Sequence, residues 1–364
     1  FPADLNMRTV LQLILGLALV ALLSSCAGIN KLELMESAEL SDGWNDIVAN
    51  GAYCSDGTDY NFSVKPGDPA KALLFLQGGG GCWNGMMCHP DLNPTYSINL
   101  RNDNPENMNG IFDFENRNNP FRNHTVIYIP YCTADVHLGS RVGQYTVPRL
   151  ENFPGGEFEI NHMGYPNAKM ALDWVYEHLT NPSEFMVAGS SAGSVAVPVY
   201  AALIKDHYAS ARVIGLGDAS GGYRGSNFNP FEVWGIGDVL DQSPRFGSIN
   251  RDGLGFYELF IAAGQRGDIV LASFDTKEDT VQKQFMTALG QDSESLFPTL
   301  KANLADISNQ TSNFSYFVAD GSFHTILLRP QFYSLTESGV SFLEWFEELM
   351  YTGSAENVVC ESCN

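Results

Sequence analysis

One short segment of this 364-residue chain leaves little freedom in how it can fold. Gly189-Ser190-Ser191-Ala192-Gly193 directly follows the apolar run Phe185-Met186-Val187-Ala188. An apolar run of that length fits a buried strand. Small residues after it permit the sharp strand-to-helix bend that lifts a serine hydroxyl above the edge of a sheet, a bend that bulky neighbours would block. The segment predicts an α/β chain with Ser191 as nucleophile, and a serine esterase is the expected class.

Such a serine needs a base, an acid and an oxyanion site. On an open α/β sheet these follow the chain order Ser, acid, His. Of histidines 89, 124, 137, 162, 178, 207 and 324, only His207 and His324 lie downstream of Ser191. His207 falls about four turns into the helix expected after the bend, and so points away from the serine. His324 follows the strand-like Phe314–Ala319 and is the expected base. Asp275 ends the run Ile269–Phe274 and is the expected acid, with Asp279 and Asp218 as the alternatives. Each of these could instead cap a helix or line a pocket. Upstream, Lys71–Leu76 reads as a buried strand and Gln77-Gly78-Gly79-Gly80-Gly81 follows it. Backbone N–H groups without Cβ atoms in the way can surround an oxyanion, so Gly79, Gly80 and Ala192 are the expected donors. No Lys-Ser or Lys-Thr follows the run, which removes a phosphate-loop reading.

These segments resemble the pectin acetylesterase/Notum family. The resemblance is carried, in order, by Leu73–Cys88, Ile129–Val136, Ala188–Ser194, Gly215–Gly221, Phe274-Asp275 and His324. It spans the chain from Cys54 to His324. It implies a carboxylesterase on an α/β-hydrolase-like fold, with a mainly parallel sheet, helices on both faces, and Ser191, Asp275 and His324 as triad. Plant members deacetylate pectin, and animal Notum removes a lipid acyl group. The expected substrate is therefore an O-acetyl ester on a polysaccharide such as pectin or hemicellulose, or a small ester. A lipid-acyl or general carboxylesterase is the alternative, and a non-catalytic glycan-binding lipoprotein is the reading from another class. Trp83, Tyr131, Asp218 and Tyr223 are candidate pocket residues. The chemistry needs no cofactor and no metal.

The N-terminal region reads as an export signal. Met7-Arg8 precedes Val10–Leu23, an apolar stretch too short to span a bilayer comfortably. Leu23-Ser24-Ser25-Cys26 then matches a bacterial lipobox with Cys26 as the lipidated residue. An exported lipoprotein at the outer membrane, on its periplasmic face or at the cell surface, is expected. Six cysteines remain after Cys26, an even number that suits disulfides in an exported chain. The resemblance pairs Cys54 with Cys132 and Cys82 with Cys88, leaving Cys360 with Cys363. This leader, and the lack of a long cysteine-rich tail, depart from the plant pattern.

The expected organisation is upstream residues and signal peptide over 1–25, lipidated cysteine and tether over 26–40, one esterase domain over 41–350, and a tail with its cysteine pair over 351–364. Tyr165–Leu179 and Gly339–Met350 have helical apolar periodicity, the second with Phe342, Leu343 and Phe346 inward. Lys plus Arg is 20 and Asp plus Glu is 42, a net charge of −22. That balance argues against a nucleic-acid partner. At low salt it also repels a heavily de-esterified pectin, itself a polyanion, whereas neutral acetylated glycans meet no such barrier. The lipobox carries a prediction of its own. Cys26→Ser moves the protein from the membrane to the soluble fraction, and continued membrane association after a high-salt wash would contradict the lipid anchor.

Overall fold

The computed structural model describes residues 40–360. Cys26, its tether and Cys363 lie outside the described residues. The apolar runs become strands of one nine-stranded sheet, ordered β1-β2-β4-β3-β7-β8-β9-β10-β13. Its members are β1 (Asn45–Tyr53), β2 (Asp59–Lys65), β3 (Asp68–Leu76), β4 (His124–Ile129), β7 (Glu184–Ser190), β8 (Arg212–Asp218), β9 (Val270–Thr276), β10 (Phe314–Ala319) and β13 (Val358–Val359). From β4 across to β13 the neighbours are parallel, while β1 and β2 join antiparallel at one edge. A separate antiparallel ribbon pairs β5 (Arg141–Val147) with β6 (Gly156–His162), and β11 (Thr336–Glu337) pairs with β12 (Val340–Ser341).

Side chains alternate across a strand, and here both faces are apolar. In β3, Ala72, Leu74 and Leu76 enter one core while Leu73 and Phe75 enter the other. Phe185 and Val187 of β7 divide from Met186 and Ala188 in the same way. Each face is covered by helices, the layering that a parallel sheet buried on both sides requires. Helices α1 (Gly164–His178), α2 (Ala192–His207) and α3 (Tyr257–Gly264) supply the first core. Helices α4 (Thr280–Ala288) and α5 (Leu296–Gln310) follow β9. Helix α6 (Phe342–Thr352) supplies the second core through Phe342, Trp345, Phe346 and Leu349.

Helix α1 coincides with the expected element to within one residue at either end. Helix α6 begins at Phe342 rather than Gly339, because Val340-Ser341 pairs with Thr336-Glu337 and Ser341 caps the helix. Leu343 is only partly buried, and Trp345 and Leu349 take the inward positions beside Phe342 and Phe346. Two disulfides have the expected pairing, Cys54–Cys132 and Cys82–Cys88. Cys360 is also disulfide-bonded.

Phe75 is fully buried, with Phe112 edge-on at 5.0 Å and Tyr128 stacked at 6.2 Å. Phe75→Ala removes a ring from a close-packed interior and should cost about 3–5 kcal/mol. Urea unfolding measures this, and a loss below about 1 kcal/mol would show that the second core is not close-packed at this position.

Candidate active site

Parallel strands bring their C-terminal ends to one edge, where the site forms. Ser191 stands between β7 and α2 with φ 54° and ψ −117°, a left-handed conformation that non-glycine residues rarely adopt. The flanking glycines are required by contact. A Cβ on Gly193 would lie 2.1 Å from the Leu76 carbonyl oxygen, and one on Gly189 2.5 Å from that of Gly193. The Ser191 N–H donates to the Asp218 carbonyl at 2.7 Å, which fixes the bend against the end of β8.

The histidine loop is tied to the same place. Asp218 is fully buried, and its carboxylate accepts the N–H groups of Ile326 and Leu327 and the Ser190 hydroxyl at 2.9–3.0 Å. His324 Nδ1 lies 2.7 Å from Asp279 Oδ2. Its Nε2 is buried without a hydrogen-bond partner among the described residues. His207, by contrast, ends α2 and stacks on Tyr176 at 3.7 Å, away from this edge.

The carboxyl that meets His324 therefore differs from Asp275, the one first expected. Asp275 lies within β9, and its Oδ1 accepts from Gly221 N and Gln282 Nε2. Asp279 is the carboxyl that reaches His324, because the chain continues past β9 and is held to the His324 loop by four bonds. Lys277 N donates to Ala319 O, Glu278 N to Gly321 O, Thr280 N to Ser322 O, and Thr276 Oγ1 to Phe323 O. Asp279 is also the N-cap of α4, accepting the N–H groups of Val281 and Gln282, each at 2.9 Å. A helix N-terminus favours a negative charge there. The sequence held a signal for it: Asp279-Thr280-Val281-Gln282 has capping-box spacing.

Gly80, Ser191 and Ala192 line one pocket, whose walls include Trp83, Tyr223, Phe228, Trp234, Phe256, Phe285 and Leu289. Ala192 opens α2, where the first N–H groups have no partner within the helix. Gly79 is next to this pocket rather than among its walls. At Gly80, φ is +76° and a Cβ would lie 2.3 Å from the Thr95 carbonyl oxygen, so only glycine fits. Trp83 and Tyr223 are pocket residues as expected. Tyr131 and Asp218 are not. Tyr131 is buried behind the glycine run, where its hydroxyl donates to Gly80 O at 3.0 Å and accepts from Val136 N at 2.7 Å. Asp218 lies beneath the two loops that it joins. Phe228, Trp234, Phe256, Phe285 and Leu289 were not singled out from the sequence, because apolar residues between strands read equally as core.

Cys82, Cys88 and His162 cluster within 4.8 Å, but the two sulfurs are bonded to each other. His162 is bonded through Nδ1 to Thr133 O and through Nε2 to the Tyr145 hydroxyl, so this cluster offers no metal-ligand set.

The pectinacetylesterase family matches residues 31–224, more than half of the chain. The chain belongs to the pectinacetylesterase family. Palmitoleoyl-protein carboxylesterase NOTUM from Homo sapiens is 27% identical over 186 residues, which cover 48% of this chain and 35% of that protein. The protein of the same name from Schmidtea mediterranea is 26% identical over 156 residues, covering 40% of this chain and 27% of its own length. The chain thus spans about a third of the length of these curated relatives. The crystal structure of the Wnt deacylase Notum from Drosophila superposes with a TM-score of 0.62 at 15% identity, covering 88% of this chain and 97% of that one. This pectinacetylesterase-family chain therefore has the same α/β-hydrolase-like fold.

Beside the pocket, the loop 134–137 carries positive φ at Ala134, Val136 and His137. Asp135 anchors it, fully buried and bonded to the Thr133 hydroxyl and Gly164 N, each at 2.7 Å. Burial raises its carboxyl to about 7, against hydrogen bonds that lower it. The folded state thus holds a proton that the unfolded chain has lost. The associated stability is fully present below pH ~4 and is lost as pH rises through about 7. Thermal melts should show the wild type losing stability relative to Asp135→Asn between pH 5 and pH 8. A difference that does not change over that range would mean that Asp135 is ionised throughout.

Proposed function

We propose that this chain is a serine carboxylesterase that removes O-acetyl groups from a polysaccharide such as pectin or hemicellulose, with Ser191, His324 and Asp279 as its triad. The observation that carries the reading is Ser191 on its left-handed bend, facing an apolar pocket and tied through Asp218 to the loop of an Asp279-bonded histidine. Asp279 accepts the Nδ1 proton, which leaves Nε2 as the base. Ser191 Oγ attacks the acetyl carbonyl as His324 Nε2 takes its proton. The oxyanion is held by N–H groups of Gly79, Gly80 and Ala192. Collapse expels the sugar oxygen, to which His324 returns the proton, leaving acetyl-Ser191. Water then adds with His324 again as base, and acetate leaves. Trp83 stacks on Phe228 at 4.8 Å and Phe228 meets Trp234 at 4.8 Å, so these rings fill one another's space. That packing supports a short acyl group.

The apolar lining also favours a second reading, a lipid-acyl esterase, as the NOTUM relatives are named palmitoleoyl-protein carboxylesterases. A non-catalytic glycan-binding role has no such support, because the nucleophile bend and the His324–Asp279 pair are both in place. Export is supported by the disulfides. Anchoring at the outer membrane through Cys26 is part of the same proposal. Among the described residues, no helix is long and apolar enough to cross a membrane.

Ser191→Ala should lower p-nitrophenyl acetate turnover by about 10³-fold or more with an unchanged thermal melt. Retention of more than about a tenth of the activity would point to another nucleophile. With one leaving group and increasing acyl length, acetate should exceed octanoate at least about tenfold in kcat/KM, since every further methylene must find apolar wall or clash. An optimum at eight carbons or more would replace the deacetylase reading with the lipid-acyl one.

A further inference from the structure

Two buried carboxyls at this edge share one amide. Gln282 Nε2 lies 3.0 Å from Asp275 Oδ1 and 3.2 Å from Asp279 Oδ2, the oxygen that also meets His324. Asp275, Asp279 and Gln282 are all fully buried. The amide is held at its other end, where Gly222 N donates to Gln282 Oε1 at 2.9 Å. Asp275 is fixed in turn by Gly221 N, and its Oδ2 has no partner among the described residues. Two like charges this close, both out of water, do not ionise together. Asp279 has the imidazole and two helix N–H groups, so the charge resides there.

We propose that Asp275 is a positioning carboxyl, kept protonated beside an ionised Asp279, which uses Gln282 to hold Asp279 against His324. This rests on the reading of Ser191, His324 and Asp279 as the triad. The titratable groups facing Asp275 are Asp279 from the acid loop, Asp218 from the end of β8 and Tyr223 from the β8–β9 segment, with His324 beyond Asp279. Burial, with the charges of Asp279 and Asp218, pushes Asp275 up to about 8 against the bonds from Gly221 and Gln282. Above that pH a second negative charge enters the pair, repels Asp279 and draws the Gln282 amide to itself.

The test is a set of kcat and KM profiles against pH on p-nitrophenyl acetate for four folded variants. D279N should lose about 10⁴-fold in kcat, because the wrong histidine tautomer is held. D275A and Q282L should lose about 10–100-fold in kcat, with KM within about threefold of wild type, as displacement of a positioned group does. D275N keeps the acceptor and stays neutral. It should retain at least about a tenth of wild-type kcat and lack the fall that wild type shows above pH ~8. If D275N is as damaging as D279N, Asp275 is the orienting acid and the proposal is overturned. Wild-type profiles for D275A and Q282L, or an unchanged alkaline fall in D275N, overturn it as well. An active D279N instead overturns the triad reading itself. Should D275A fail to fold, D275N and Q282L carry the test.

Discussion

A single buried carboxylate, Asp218, ties the Ser191 bend to the loop that carries His324. Ser191 and His324 are separated by more than a hundred residues and stand on different loops. Asp218 gives its backbone carbonyl to Ser191 N and its carboxylate to Ser190 and to the loop just after His324. Burial pushes this carboxyl up to about 6, against the hydrogen bonds that lower it. A buried carboxyl with this many donors is costly to disturb, since losing it would leave two backbone N–H groups unmatched in a dry interior. The register of β8 between β7 and β9 places Asp218 at the edge, so the sheet itself sets the distance between the two loops.

The second coupling is between the Asp279 loop and the His324 loop. Four hydrogen bonds run between residues 276–280 and 319–323, so Asp279 and His324 belong to one interlocked unit. Asp279 acts twice, ending the exposed N–H groups of α4 and orienting an imidazole. The positive end of a helix thus reinforces the carboxylate that the histidine needs. The carboxyl that meets His324 thus sits at a helix start, whereas Asp275, within β9, has its carboxyl turned to Gly221 and Gln282.

Much of this frame was legible in the sequence. Mainly apolar runs at 71–76, 185–188, 213–217 and 314–319 lie in strands of the central sheet, and the glycines around Ser191 are forced by contacts shorter than any Cβ tolerates. Chain order alone picks out His324, the histidine that is paired with an aspartate at this edge. Which aspartate meets it does not follow from order, because three stand at or near strand ends and only the path of the loop distinguishes them. Tyr131 shows another limit. Expected as a pocket residue, it instead braces the glycine run from behind through its hydroxyl, a role set by residues 77–80 and 136 folding around it.

The pocket wall is assembled from both sides of residue 224, the end of the family match. The family match covers residues 31–224, which hold the glycine run and Ser191. Phe228, Trp234, Phe256, Phe285 and Leu289 lie beyond it, and they form most of the apolar wall that an acyl group would meet. Trp83 lies within the match, yet its ring is positioned by Phe228 across the pocket. Trp234 is fixed by an indole bond to Cys82 O at 2.7 Å, next to the Cys82–Cys88 disulfide that closes the Trp83 loop. The disulfide therefore braces the wall from the Trp83 side, while the segment between β8 and β9 supplies Tyr223, Phe228, Trp234 and Phe256, four of the six rings that line the pocket. Changes in that segment can alter acyl length without touching Ser191, His324 or Asp279.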